Sequence, residues 1–169
     1  MHQQTSEEDC GIISKIPSDS TRYWIIVASR DHANIGINGG FVQANHGKNA
    51  MLRRMRTGDW IVFYCPKETF KGKVPCRKFK GLGQVKDDRI YQADMAEDFH
   101  PFRRDVAFSS KTKEIPIEPL IPDLSFIKSK KSWGYFFKFG VIEIPWNDFM
   151  RIANKMDASL QGKSLDLEM

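Results

Sequence analysis

Aromatic rings set beside cations are the side chains of this sequence best suited to chemistry. Phe70-Lys71, Phe79-Lys80, Phe102-Arg103-Arg104 and Lys131-Ser132-Trp133 each join a π face to a positive charge. That combination stacks on a nucleobase while neutralising its phosphate. The aromatic count (Trp 4, Tyr 4, Phe 12) exceeds what a core of this size requires. Trp24, Phe63 and Phe137 read as core. Trp133 does not: it stands between Lys128-Ser129-Lys130-Lys131 and Gly134, in a polar basic turn where a structural tryptophan would be poorly buried.

Other chemistries meet obstacles. Gly47-Lys48 is followed by Asn49 and preceded five residues earlier by Val42, so the phosphate-cradling P-loop template fails. Gly81-Leu82-Gly83 runs on to Lys86 without a third glycine, which excludes the dinucleotide fingerprint. His2, His32, His46 and His100 are scattered, with no cysteine at ligand spacing, so neither a metal nor another cofactor is expected. Ser29, Asp31, His32 and His46 offer a nucleophile and a base, but no strained serine elbow accompanies them, and a strand-end serine before Asp-His is more often a turn.

Charge is segregated. Between His46 and Leu82 ten Lys/Arg face two Asp/Glu, whereas from Gly83 to Phe99 five acids face two bases. The whole chain carries +5. Such a field attracts polyanions, nucleic acid first among them, although a solvated lysine-rich loop would read the same way.

The elements that must position these groups follow from the apolar pattern. Tyr23 to Val27 and Trp60 to Tyr64 are β-branched and aromatic runs that predict central strands, the first ending in a loop mouth. Three glycines between Gly36 and Gly40 predict a turn or a close approach that no regular element crosses. Met51, Leu52 and Met55, with Arg53, Arg54 and Arg56 among them, predict a short basic-faced helix. Pro66 to Pro75 reads as a hairpin loop. Lys80 to Val85 and Ile90 to Gln92 read as two strands about an Asp87-Asp88 turn, with a glycine bulge in the first. Arg104 to Phe108 and Gly140 to Ile144 add short extended runs. The proline-punctuated Ile115 to Pro122 fits neither sheet nor helix, and Leu124 to Ile127 adds a helical turn. Phe149, Ile152, Ala153 and Met156 fall at helical spacing and predict a C-terminal amphipathic helix.

These elements predict one α+β domain over 22–156, a small closed or nearly closed sheet of about six strands with short helices, between a leader at 1–21 and a tail at 157–169. At 169 residues the chain has room for a single core. No stretch approaches the length needed to span a bilayer, and the polar acidic start does not resemble a secretion signal. Cys10, Cys65 and Cys76 form no C-x-x-C pair and read as reduced thiols. A cytoplasmic location is expected, without membrane partners.

Several ordered blocks together carry a family resemblance. They are Tyr23 to Ser29, Gly39-Gly40-Phe41-Val42-Gln43-Ala44-Asn45-His46-Gly47-Lys48, Leu52 to Met55 with Gly58-Asp59-Trp60, Tyr64 to Lys67, Gly81 to Val85, Phe102 to Val106, Pro119 to Ile121, Leu124 to Ile127, and Trp133-Gly134. Over 22–156 the chain resembles the EVE domain of the PUA-like superfamily. The resemblance implies a PUA-like β-barrel with a cavity for a modified nucleobase, and partner proteins from restriction or RNA-modification systems. His46-Gly47 stands where the related YTH domains, which hold N6-methyladenine in an aromatic cage, carry Glu-His-Gly. Phe41-Val42 replaces an expected cage tryptophan, so that ligand does not carry over.

Position by position, the resemblance implies a base pocket of Ser29, Gln43, Asn45, His46 and Trp133, with Phe41 and Tyr64 on its apolar wall. The amides suit a base edge and the ring supplies the stack. Lys48, Arg53, Arg54, Arg103 and Arg104 are placed to meet phosphates. The expected function is a non-catalytic module binding nucleic acid, DNA or RNA, that carries a modified base, flipped or already unpaired. Two alternatives stand beside it: an enzyme on a small anionic or nucleotide substrate with His46 as base, and an interaction module docking through the loop from Lys67 to Lys80.

Overall fold

The computed structural model describes residues 20–43 and 49–157. Seven strands form one mixed sheet: β1 (Tyr23–Val27), β2 (Phe41–Gln43), β3 (Trp60–Lys67), β4 (Pro75–Gln92), β5 (Phe102–Phe108), β6 (Ile115–Pro116) and β7 (Val141–Ile144). Their order is β2-β5-β4-β3-β1-β7, with β6 paired to β4. Among the described residues only β1 and β3 run parallel, and the other pairings are antiparallel. The fold is therefore α+β, as the pattern predicts, but the sheet is not closed. Its end strands β2 and β7 do not pair with each other, so the expected barrel is an open, bent sheet.

The two apolar runs became β1 and β3 because both of their faces are buried. Tyr23, Ile25, Trp60, Val62 and Tyr64 point to one side, where they meet Phe149 and Ile152 of helix α3 (Trp146–Lys155), Met156 at its C-cap, and the segment from Ile115 to Ile127. Trp24, Ile26, Ile61, Phe63 and Cys65 point to the other, against Val42, Val106 and Leu52. Each fully buried large side chain contributes about 1.5–3 kcal/mol, so the two cores outweigh the polar ends of every element.

Two buried carboxylates fasten the layers. Asp59 accepts from the Arg22 amide (3.0 Å), Trp24 Nε1 (2.9 Å) and the Arg56 amide (2.9 Å), tying the turn before β3 to β1. Asp148, in the first turn of α3, accepts from the Ser125 and Phe126 amides, both at 2.9 Å, and from Ser125 Oγ.

Three local expectations are corrected. Helix α1 (Arg30–Gly39) does cross the glycine-rich stretch. Gly36 permits it by lying so close to β2 and β3 that a Cβ there would sit 2.7 Å from the Phe41 carbonyl oxygen. Asp87-Asp88 makes no hairpin turn: β4 runs unbroken through it, and the strain is taken up as a register shift against β5 between Val85 and Ile90. The bulge lies where the glycines predict it, at Gly81, with φ +69° between Lys80 (opposite Phe63) and Leu82 (opposite Val62). The proline segment forms the short strand β6 and a 3-10 helix over Glu118–Asp123, with Pro119 in its first turn, where a proline is tolerated, and Pro122 inside it. The basic-faced helix α2 spans Ala50–Arg54. The leader up to residue 19 and the tail from residue 158 lie outside the described residues. Among the described residues no helix is long and apolar enough to cross a membrane.

Candidate nucleic-acid interface

Where β1 ends, the chain turns into α1 and leaves a cleft of about 630 Å³ between α1, the end of β1, β2 and α2. Phe63, Gly36, Val42 and Leu52 form its inner wall. Its mouth is apolar: Ile35, Phe70, Met95 and Phe99 are 39–53% exposed and all line it. Clefts of this size, apolar with a few placed polar groups, suit a small planar ligand.

Ser29 sits at the N-cap position of α1 and donates its hydroxyl to Asp31 Oδ1 at 2.6 Å. Asp31 also accepts from the His32 amide (2.8 Å) and the Phe70 amide (3.4 Å). Burial alone would raise the Asp31 carboxyl. The bonds from Ser29, Phe70 and His32 outweigh it and hold the group below its ordinary value. The His32 ring stacks on Phe70 at 4.8 Å and 17°, and Lys67 Nζ lies 5.7 Å from the Phe70 centroid. Ser29 thus donates its proton to a carboxylate and His32 turns to an aromatic ring, so Ser29 and His32 do not pair with each other.

Across the cleft, β2 and β5 bring a second group together. Register places Gln43 opposite Arg103. Arg103 Nε donates to Gln43 Oε1 at 2.9 Å while its guanidinium lies 3.8 Å over the Phe41 ring. The glutamine oxygen thereby accepts from Arg103, and among the described residues its amide hydrogens have no partner.

Of the residues expected in the pocket, Ser29, Phe41 and Gln43 line the cleft. Tyr64 and Trp133 do not, and for Tyr64 the reason is strand parity. Phe63 faces the cleft, so Tyr64 faces the opposite core, 5.5 Å from Phe79 and 4.2 Å from Phe137, where burial raises its phenol. Trp133 lies half-buried on that same side, edge-on to Phe137 at 6.2 Å. Asn45, His46 and Lys48 lie outside the described residues, which stop at Gln43 and resume at Asn49.

The phosphate set also divides. Arg53 and Arg54 are exposed on α2, and Arg54 covers Trp24 at 5.0 Å. Arg104 is only 3% exposed. Its guanidinium donates to the carbonyls of Leu52 (2.9 Å), Met55 (2.6 Å) and Asp87 (3.1 Å), closing the end of α2 onto the sheet, and is not free for a phosphate. Part of the basic hairpin is neutralised as well: Lys80 lies 2.7 Å from Glu114, Lys78 3.9 Å from it, and Arg77 3.5 Å from Glu118. Sequence reasoning missed Ile35, Met95 and Phe99 at the mouth, because an exposed apolar residue carries the same letter as a buried one. Phe70 had its signal in the adjacent Lys71. Cys65 is a buried free thiol pushed up to about 12 by burial, and Cys76 is free and half-buried. Among the described residues no cluster of His, Cys, Asp and Glu could hold a metal.

Comparison with known proteins places this architecture. The chain is 49% identical over 128 residues to the UPF0310 protein in the gntR 5′ region of Bacillus licheniformis, covering 76% of this chain and 86% of that one. It is 36% identical over 146 residues to the UPF0310 protein YdcG of Bacillus subtilis, covering 86% and 99%. Two solved structures share the fold at low identity. The YTH domain of Zygosaccharomyces rouxii MRB1, solved with N6-methyladenosine RNA, aligns with a TM-score of 0.51 at 14% identity over 82% of this chain and 88% of that one. The Pho92 YTH domain, solved with m6A, aligns with a TM-score of 0.52 at 17% identity over 82% and 87%. The family model of the EVE domain matches residues 22–155, and with these relatives it identifies the chain as a member of the EVE domain family.

Proposed function

We propose that this protein is a non-catalytic reader that takes one modified base of a nucleic acid into the cleft beside Gln43. The observation that carries the reading is the Arg103–Gln43–Phe41 group. A buried aromatic ring is backed by a guanidinium at 3.8 Å, and next to it an amide has its oxygen occupied and, among the described residues, its donors unspent. That is a stacking wall with one oriented hydrogen-bond donor, set in an apolar hollow open to solvent. The YTH domains that share the fold were solved with a methylated adenosine, which supports a base as the class of ligand.

The energetics make modification decisive. Extruding a base costs a few kcal/mol, stacking returns about 1–3 kcal/mol, and a methyl group fitted to an apolar wall adds about 1–3 kcal/mol. The first two terms nearly cancel, so the third selects. The direct test is fluorescence anisotropy with matched DNA and RNA strands, plain or methylated at adenine N6, cytosine N4 or cytosine C5, across a salt series. One modified strand binding about fivefold or more tighter than its plain counterpart, with the difference lost in Gln43→Ala, is the expected result. Equal affinity for every strand at every ionic strength refutes the reading. Turnover of a nucleotide that disappears in His46→Ala would mark an enzyme instead.

A further inference from the structure

We propose a second nucleic-acid contact outside the cleft: the strip from Lys128 to Phe139 is a track for the nucleotides that flank the base held by Gln43, with Tyr135 and Phe139 as stacking faces. It rests on the reader function and extends it from a single base to a stretch of strand.

Four observations meet there. The 3-10 helix over Trp133–Lys138 anchors itself by burying Phe137 and laying Trp133 edge-on against it. With Phe137 turned inward, Tyr135 and Phe139 are left 58% and 56% exposed, 6.2 Å apart and nearly perpendicular at 83°. These two rings have no core role, and rigid exposed aromatics are the usual platform for unpaired bases.

The charge around them is uncompensated. Leu124 to Ile142 carries four lysines and no acid. Lys130 is spent on the Leu124 carbonyl at 2.7 Å and Lys138 lies 5.2 Å from the Tyr135 centroid. Among the described residues Lys128, Lys131 and Lys138 make no ion pair with an acid, in contrast to Arg77, Lys78 and Lys80 of the hairpin.

Position joins the strip to the cleft. Phe139 is followed by Gly140, which lines the cleft and whose carbonyl accepts from the Val27 amide at 2.8 Å. The strip therefore adjoins the cleft at Gly140, while Trp133 and Phe137 anchor it on the other face of the sheet. The exposed residues of the strip are lysine, serine, glycine, tyrosine and phenylalanine, with no aliphatic side chain and no acid. That composition fits a polyanion with planar bases better than the apolar patch of a protein partner.

The test compares an unmodified twelve-nucleotide thymidylate strand with its trinucleotide, by anisotropy and competition, for the full chain. Tyr135→Ala/Phe139→Ala should weaken the twelve-mer about tenfold or more and leave the trinucleotide within about twofold, because each lost stack removes about 1–3 kcal/mol. Lys128→Gln/Lys131→Gln should flatten the salt dependence of twelve-mer binding by about 1.4 in log–log slope, or about 0.7 per phosphate released. An unchanged twelve-mer affinity in the aromatic variant, while Gln43→Ala loses binding, overturns the track alone and leaves the strip to a protein partner. A wild-type chain that binds neither length of this plain strand overturns the track, whereas the reader function is overturned only by equal affinity for the modified and plain strands.

Discussion

Arg104→Ala separates a structural arginine from a phosphate-binding one. The side chain is 3% exposed and donates to three backbone carbonyls, two of them at the end of α2. Its remaining partner, Asp88, lies 3.4 Å away but is 89% exposed and contributes little. Hydrogen bonds to a charged group are worth about 1.5–3 kcal/mol each, and truncation leaves the carbonyls at Leu52, Met55 and Asp87 without a donor. The bonds share one side chain and do not add fully, so the loss is about 3–5 kcal/mol. At roughly 2–4 °C per kcal/mol for a chain of this size, the melting midpoint should fall by roughly 6–20 °C. Arg53→Ala, on the exposed face of the same helix, should stay within about 0.5 kcal/mol of wild type. Thermal denaturation followed by circular dichroism, paired with oligonucleotide titration below the transition, reads both properties. An Arg104→Ala protein that melts with the wild type yet loses nucleic acid would refute the structural assignment and restore the role inferred from sequence.

Two further outcomes follow from packing and charge. Gly36→Ala should destabilise by about 1–3 kcal/mol in denaturant titration despite alanine's better helix propensity, because the added Cβ would stand 2.7 Å from the Phe41 oxygen and 3.4 Å from the Phe63 ring; a stabilised variant would show that α1 can shift. Burial would raise the Glu114 carboxyl, but hydrogen bonds from Lys80 and Arg30 hold it below its ordinary value. Its stabilisation is therefore complete above the unfolded carboxylate range and is lost as pH falls through the lower folded value. Wild type should lose stability on acidification with a steeper slope than Glu114→Gln, as denaturation midpoints between neutral and acid pH will show, and parallel slopes would contradict the assignment.

The legible parts of the fold are those where one local pattern decides. Phe149, Ile152, Ala153 and Met156 gave a helical stripe that the structure buries, and the runs at Tyr23 and Trp60 became the central strands. Helix α1 was hidden because propensity reads three glycines as a break, whereas the fold uses the missing Cβ of Gly36 to bring helix and sheet together. Asp87-Asp88 carries a turn signal that tertiary contacts override: the Asp87 carbonyl and the Asp88 carboxylate both receive Arg104. In the candidate site, Ser29, Phe41 and Gln43 were marked by the family resemblance, and all three line the cleft. Tyr64 was not, since its side of β3 depends on a register that Phe63 shares with the cleft. Arg103 and Arg104 are one letter repeated, and only the alternation of β5 sends the first to Phe41 and the second inward.

The place of β1 between β3 and β7 has a consequence for how the protein is made. Tyr23–Val27 bonds to β3 on one side and to β7 on the other. While the ribosome works from the N-terminus, the first partner follows soon, but the second comes only after β4, β5 and β6 have been made. Until then a tyrosine, a tryptophan, two isoleucines and a valine keep a bare main-chain edge, able to pair with another nascent chain. Shortening the gene ahead of Val141 would make that transient exposure permanent, so clipped versions should accumulate in inclusion bodies rather than as smaller working modules.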